Sequence, residues 1–195
     1  MKASDARLLT GSVLVLAGAA VLVAALAIYG QGTSWQRLQA GREDPLLERE
    51  PVPAPSPRPG EPFARLSIPR IDLDVTVIEG TRKQDLLNGP GHLAGSAPLG
   101  AMDNCIIAGH RDMHFRRLNR LRPGDVIRLE AGGKRVVYQV ASIRVVPSDD
   151  TAVLAPTREP LLTLITCFPF RFVGPAPRRY VVQAKLATTP EAAAL

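Results

Sequence analysis

The sequence predicts a single N-terminal membrane span followed by an all-β domain of about 125 residues, either a barrel or a sandwich. After residue 62, short apolar or alternating runs are repeatedly cut by proline, glycine and aspartate. This pattern is typical of short strands joined by turns. Before residue 62 lie an uncharged apolar run and a proline-rich stretch, and the whole chain of 195 residues allows one domain with appendages.

The first element is an apolar run without charged residues, at positions 8–29. As a helix of about 22 residues it is long enough to cross a hydrocarbon core of roughly 30 Å. A cleaved signal peptide with a small-residue site at 25–27 is the alternative, but its apolar region would be shorter. Lys2 and Arg7 favour a cytoplasmic N-terminus at residues 1–7. We therefore expect a single-pass protein of the cell membrane whose folded domain lies outside the cytoplasm, at the cell surface or in the periplasm.

The segment 30–62 predicts a linker. Seven prolines fall between positions 45 and 62, among mixed charges and few apolar residues. Such a composition favours an extended polyproline-II spacer with a rise of about 3.1 Å per residue, or else plain disorder. At the other end of the chain, residues 188–195 are expected to form a loose tail.

The folded domain is expected at residues 63–187, with little helix. Gly132-Gly133 between two alternating runs indicates a hairpin. Helical turns are predicted at Lys83–Leu87, Phe115–Asn119 and Asp150–Leu154, and strands at Phe63–Ile68, Leu73–Glu79, Asn104–Gly109, Val126–Glu130, Arg135–Ala141, Ile143–Val146, Leu161–Cys167 and Tyr180–Leu186.

Composition excludes several classes of protein. The formal net charge is +6, and residues 63–195 carry eighteen basic and twelve acidic side chains. Aromatic residues are few and no nucleic-acid recognition module is visible, so the basic excess fits an anionic cell surface or lipid better than nucleic acid. Two cysteines without a CxxC pair exclude a disulfide scaffold and weaken a redox interpretation. The three histidines lack zinc spacing with the cysteines, and we predict no metal site.

Cys167 is the first candidate for chemistry. It ends the apolar run Leu162–Cys167, and Phe168-Pro169 stops the strand directly after it. A thiol there can face a groove, although a lone cysteine can also be a small buried hydrophobe. His110 ends another apolar run, so it could keep the thiol ionised and transfer protons, or it could be an ordinary surface histidine.

Arg178 and Arg179 begin the last predicted strand and point to opposite faces by strand alternation. One of them could hydrogen-bond a carbonyl oxygen that becomes negative when a thiolate attacks it. Cys105 lies five residues before His110, so the two side chains face opposite ways in a straight strand. We therefore expect Cys105 to be buried and unpaired, without a disulfide to Cys167.

Three other residues near these segments are weaker candidates for a role in catalysis or substrate binding. His92 lies in a glycine-rich loop and His114 beside a predicted helical turn, and both are interpreted as non-catalytic. Gly109, directly before His110, is expected to leave room where a substrate approaches.

Together the segments resemble the sortases, the membrane-anchored cysteine transpeptidases. Thr163–Cys167, TLITC, matches the TLxTC signature of that family, and Ile107–Asp112, IAGHRD, looks like its histidine segment. The sequence CFPF followed by GPAPRRYVV is similar to the class D sortases. The resemblance covers about residues 63–187, with the motifs in family order.

The resemblance implies an eight-stranded β-barrel with Cys167 as nucleophile, His110 as acid–base partner and Arg179 as transition-state arginine. Arg178 competes for that last role. The implied reaction is attack on the Thr–Gly bond of an LPxTG-like sorting signal, followed by transfer of the thioester-bound protein to an amine or to water. The implied partners are surface proteins that carry such a signal and an amine acceptor on the cell envelope. No cofactor is required, and the substrate-binding residues are not indicated.

Two other functions compete with this one. An L,D-transpeptidase would carry a Ser-His-Gly-Cys type of cluster, which the sequence lacks. A non-enzymatic, membrane-tethered β-domain for surface assembly or adhesion would instead bury Cys167. Reaction with a thiol-specific reagent distinguishes the second rival from a sortase, because a buried Cys167 would resist the reagent and a Cys167 in a groove would react.

Overall fold

The computed structural model of the protein describes residues 17–27 and 57–187. Residues 17–27 are helical; the rest of the predicted span 8–29, the linker up to residue 56 and the tail 188–195 lie outside the described residues. Within the described part of the chain, no helix combines the length and the apolar character that crossing a bilayer requires.

Eight strands close into a barrel, as the resemblance implied. The strands are β1 (Pro62–Ile68), β2 (Leu73–Glu79), β3 (Gly91–His92), β4 (Asn104–Ala108), β5 (Val126–Ala131), β6 (Lys134–Pro147), β7 (Leu161–Phe168) and β8 (Arg178–Leu186). Around the barrel the order is β1-β2-β3-β4-β7-β8-β6-β5, and β5 pairs with β1 to close it. The pairs β2–β3 and β4–β7 are parallel, and all others are antiparallel. The helices are short: an α-helix at Lys83–Asn88 and 3-10 turns at Pro69–Ile71, Leu118–Arg120 and Ala152–Leu154.

The set of strands differs from the predicted one in two places. The predicted strands Arg135–Ala141 and Ile143–Val146 are one strand, β6, with a bulge between Val140 and Ser142. The bulge reverses the alternation of side chains, which makes one strand look like two in sequence. Strand β3 was missed because two residues show no periodicity, and only its pairing with β2 and β4 makes it a strand.

The barrel interior is the main core. Along β7, Leu162 and Leu164 point inward and are fully buried. Thr163 and Ile165 point to the outer face by strand alternation. The largest interior side chains are Tyr138, Phe115, Leu66, Ile68, Ile107, Leu118, Ile127 and Leu129. The outer face of β7 is therefore where a side chain at residue 167 lies.

A second, smaller apolar cluster covers that outer face, under the connection between β6 and β7. Asn104 holds the connection in place, since its Nδ2 donates hydrogen bonds to the carbonyl oxygens of Val153 (3.2 Å) and Ala155 (3.1 Å). The Oδ1 of Asn104 in turn accepts a hydrogen bond from Thr163 Oγ1 at 2.7 Å. The cluster consists of Val146, Val153, Val181 and Ile165.

Candidate active site

The pairing of β7 with β8 brings Cys167 and Arg179 together. The two residues are direct cross-strand partners, and Phe168 is the partner of Arg178. Side chains of direct partners in an antiparallel pair lie on the same face, with Cβ atoms about 4.5–5.5 Å apart. Arg179 therefore shares the outer face with Cys167, while Arg178 lies on the other face of the strand.

The pairing of β4 with β7 brings His110 to the same place. The strands run parallel, with Ala108 opposite Ile165. The backbone stays alongside beyond the end of β4, because Gly109 N donates to the Ile165 carbonyl (3.0 Å) and Thr166 Oγ1 donates to the Gly109 carbonyl (2.7 Å). Continuing this register by two residues aligns His110 with Cys167, one strand spacing of about 4.8 Å away.

Three neighbouring backbone segments thus present a histidine, a thiol and a guanidinium in one row across the outer face. All three residues are half-buried, so each is supported by the barrel yet open to solvent. In this row the Cys167 thiol can act as a nucleophile, because the His110 imidazole beside it can exchange protons. The Arg179 guanidinium on the other side can stabilise negative charge that develops during the attack.

The Arg179 guanidinium is held at the loop before β8. Its Nη1 donates hydrogen bonds to the carbonyl oxygens of Ala176 (3.1 Å) and Arg178 (3.0 Å). Arg178 itself is exposed.

Cys105 behaves as predicted from its spacing to His110. It is buried in the barrel core and is a free cysteine, as is Cys167. Burial raises the pKa of the Cys105 thiol to about 12, and the negative charge of Glu79 adds to the effect. At neutral pH it is therefore almost entirely un-ionised, and it lies on the opposite side of the barrel wall from the His110–Cys167 row.

The other two histidines are not in the row. His92 lies in β3 and faces the barrel interior, where it contacts Glu79 Oε2 (2.7 Å) and stacks on Phe63 with ring centroids 3.9 Å apart. His114 follows His110 in the connection to β5, and its Nε2 is buried without a hydrogen-bond partner among the described residues. Burial lowers the pKa of His114, and the charge of His110 lowers it further.

The expectation that Gly109 leaves room for a substrate is wrong. A Cβ at this position would lie 2.6 Å from Cδ2 of Phe115. The Phe115 ring is fully buried in the core and fills that space. The glycine is therefore required by the packing of the Phe115 ring directly behind His110. The sequence does not show this contact, because the predicted helical turn at Phe115–Asn119 does not indicate where the ring points.

Arg111 was overlooked at the sequence level. It is buried, and its guanidinium donates hydrogen bonds to the carbonyl oxygens of Pro169 and Phe172, both at 2.7 Å. Its position next to His110 was the one available signal. A partner 58 residues away along the chain could not be read from the sequence.

Comparison with known proteins finds relatives of the barrel domain. The Sortase domain family matches residues 66–187, more than half of the chain. Sortase D of Bacillus subtilis (strain 168) is 35% identical over 133 residues, which cover 68% of this chain and 67% of that protein. Sortase SrtE1 of Streptomyces coelicolor is 37% identical over 130 residues, which cover 57% of this chain but 37% of that longer protein. The solved structure of a Clostridium perfringens Sortase D5 transpeptidase superposes with a TM-score of 0.62 at 30% identity, covering 67% of this chain and 82% of that one.

The residues matched by the family domain, 66–187, include the end of β1 and all of β2 to β8. On that basis the chain belongs to the sortase family, resembles its class D members, and is a cysteine transpeptidase.

Proposed function

We propose that this protein is a membrane-anchored sortase that cleaves an LPxTG-like sorting signal and transfers the protein bearing it to an amine, or to water. The observation that carries the proposal is the shared row of His110, Cys167 and Arg179, which follows from two strand registers. Ile165 supports it, because this half-buried side chain lies on the same outer face two residues before Cys167, where a signal with apolar residues before the scissile bond could pack.

The first half of the reaction forms a thioester. The Cys167 thiolate attacks the threonine carbonyl carbon of the signal, and a tetrahedral intermediate forms. The bond to the glycine nitrogen then breaks, and that nitrogen takes a proton from the His110 imidazolium. The products are a thioester on Cys167, neutral His110 and a free amine on the departing peptide.

The second half releases the protein. Neutral His110 accepts a proton from the acceptor amine as its nitrogen attacks the thioester carbonyl, and sulfur leaves as the Cys167 thiolate. The new bond is an amide; water in the same role gives a carboxylic acid. The Arg179 guanidinium hydrogen-bonds the oxygen that becomes negative in both tetrahedral intermediates, and it can use Nη2 or Nε for this because the loop carbonyls engage only Nη1.

We propose that residues 8–29 anchor the protein in the cell membrane, with residues 1–7 in the cytoplasm and the linker 30–62 and the barrel outside. The partners are surface proteins that carry the signal and an amine acceptor on the envelope. Alkaline carbonate extraction and protease treatment of spheroplasts test this topology. Release of the full-length chain by carbonate, or protection of the barrel in spheroplasts, would count against it.

The activity is tested with the full-length chain and a set of LPxTG-type peptides that vary at x, with products identified by mass spectrometry. We expect Cys167→Ala to lose detectable cleavage. Cys105→Ala should retain it within a few-fold, since its cost is a small core cavity of about 1 kcal/mol. Loss of cleavage in Cys105→Ala, with a melting temperature still above that of the assay, would refute the assignment of the nucleophile.

A further inference from the structure

We propose that Arg111 is a positioning residue for this reaction, which ties the segment that carries His110 to the loop that follows Cys167. The inference rests on the proposed roles of His110 and Cys167 and adds a residue to them. Arg111 follows His110 directly, yet its contacts lie on the cysteine side of the site.

The contacts of Arg111 are short and use every nitrogen of its guanidinium. Nη1 donates to the Pro169 carbonyl and Nη2 to the Phe172 carbonyl, each at 2.7 Å, and Nε donates to Asp112 Oδ1 at 3.1 Å. The guanidinium carbon also lies 5.9 Å from the centre of the Phe172 ring. Only 9% of the Arg111 side chain is exposed.

This arrangement requires arginine. The planar guanidinium presents several N–H groups in a fixed fork, so it can reach two carbonyls from one position. A lysine places its three N–H donors on one nitrogen, so it cannot reproduce the separate positions of Nη1 and Nη2 together with the bond from Nε. The ion pair with Asp112 contributes less, because the aspartate side chain is 72% exposed and screened by water.

On the histidine side, the turn is fixed to the core. The His110 carbonyl accepts hydrogen bonds from Met113 N (3.3 Å) and Phe115 N (3.1 Å), and the Phe115 ring is fully buried. The position of His110 toward the thiol is then set from both neighbours, by the hydrogen bonds that tie Gly109 to β7 and by those of Arg111 to the loop after Cys167.

On the cysteine side, Arg111 is hydrogen-bonded to the loop 169–177, which begins two residues after Cys167. The far end of this loop is held by Arg179, whose Nη1 donates to the Ala176 carbonyl. One loop therefore contacts both arginines, and a shift of it would displace His110 and the Arg179 guanidinium relative to the thiol. Arg111 touches none of the reacting atoms in this scheme and acts through His110.

The test uses the full-length chain with Arg111→Lys and Arg111→Gln, and with Arg120→Lys as the matched control. Arg120 is an exposed arginine in the same connection. Alkylation of Cys167 by iodoacetamide between about pH 5 and pH 9 reports the state of the thiol. Amide hydrogen exchange at residues 110–115 and 169–177 reports whether the two segments are held together.

We expect Arg111→Lys to speed exchange in both segments, to move the pH profile of alkylation and to slow alkylation at neutral pH by about tenfold. Arg120→Lys should match the wild type. Because the effect runs through His110, Arg111→Lys should change the profile no further in a His110→Ala background.

An unchanged alkylation profile in folded Arg111→Lys would overturn the proposal, and so would an equal shift with and without His110. Arg111→Gln supplies the same readouts if the lysine variant melts below the assay temperature. Alkylation needs no peptide, so its outcome is separate from the proposed function. Failure of the wild type to cleave any sorting-signal peptide would count against that function alone.

Discussion

Arg178 and Arg179 begin β8 as neighbours, yet they lie on opposite faces of the strand. Strand alternation predicts that much from the sequence. Which of the two shares a face with Cys167 depends on the register of β7 against β8, and the sequence contains no direct signal for register. The structure pairs Cys167 with Arg179 and leaves Arg178 opposite Phe168.

The two arginines therefore make a matched pair of variants. We expect Arg179→Gln to lower the rate of acyl-enzyme formation by about 100- to 1,000-fold, because an oxyanion donor is lost. Arg178→Gln should stay within a few-fold of the wild type. Single-turnover kinetics with a sorting-signal peptide measure both, and the reverse order of effects would assign the role to Arg178.

His114 gives a prediction about pH. Burial holds its pKa below the ordinary value of 6.5 in the folded chain, so the unfolded chain binds more protons as the pH falls through that value. Stability should therefore be fully present above about pH 6.5 and decline below it. In His114→Gln the melting temperature should fall less between neutral and mildly acidic pH, as followed by circular dichroism. Equal slopes for the two proteins would show that His114 does not contribute.

At the scale of elements, the strands with clear periodicity could be predicted and the irregular ones could not. Strands β1, β2, β4, β5, β7 and β8 lie within one or two residues of their predicted ends. The bulge in β6 and the two-residue β3 exist only through pairing with neighbours. Neither irregular strand carries one of the three candidate site residues. The prediction of those residues therefore did not depend on predicting these strands correctly.

Gly109 connects an element to the site. Gly109→Ala would press a methyl group against the buried Phe115 ring, and such overpacking typically costs about 1–3 kcal/mol. Since Phe115 N also donates to the His110 carbonyl, we expect activity to fall together with the melting temperature.

Phe115→Leu supplies the control for this clash. In the double variant Gly109→Ala/Phe115→Leu, the smaller side chain makes room for the methyl group. Its loss in the free energy of unfolding, from urea denaturation, should be smaller than the sum of the two single losses. Simple additivity would mean that the Phe115 ring does not oppose the methyl group.

At the scale of the whole molecule, the barrel assembles a site that the chain scatters. Residue 110 precedes residue 167 by 57 positions, and Arg179 comes twelve positions later. Sequence reasoning could nominate the three residues, since each lies at an end of a β-type run and their motifs resemble a family. It could not derive that the three residues lie together, because this depends on the long-range strand pairing that closes the barrel. Nor could it derive the hydrogen bonds from Arg111 to the loop 169–177, which join residues far apart in the chain.

The most direct test is the intact mass of the full-length chain after it is mixed with an excess of LPxTG-type peptide and quenched in acid. The account predicts a mass increase that equals the peptide up to its threonine, located on Cys167 by peptide mapping and removed by hydroxylamine. The adduct should form in Cys105→Ala and be missing in Cys167→Ala. An adduct on Cys105, or peptide cleavage that persists in Cys167→Ala, would contradict the account.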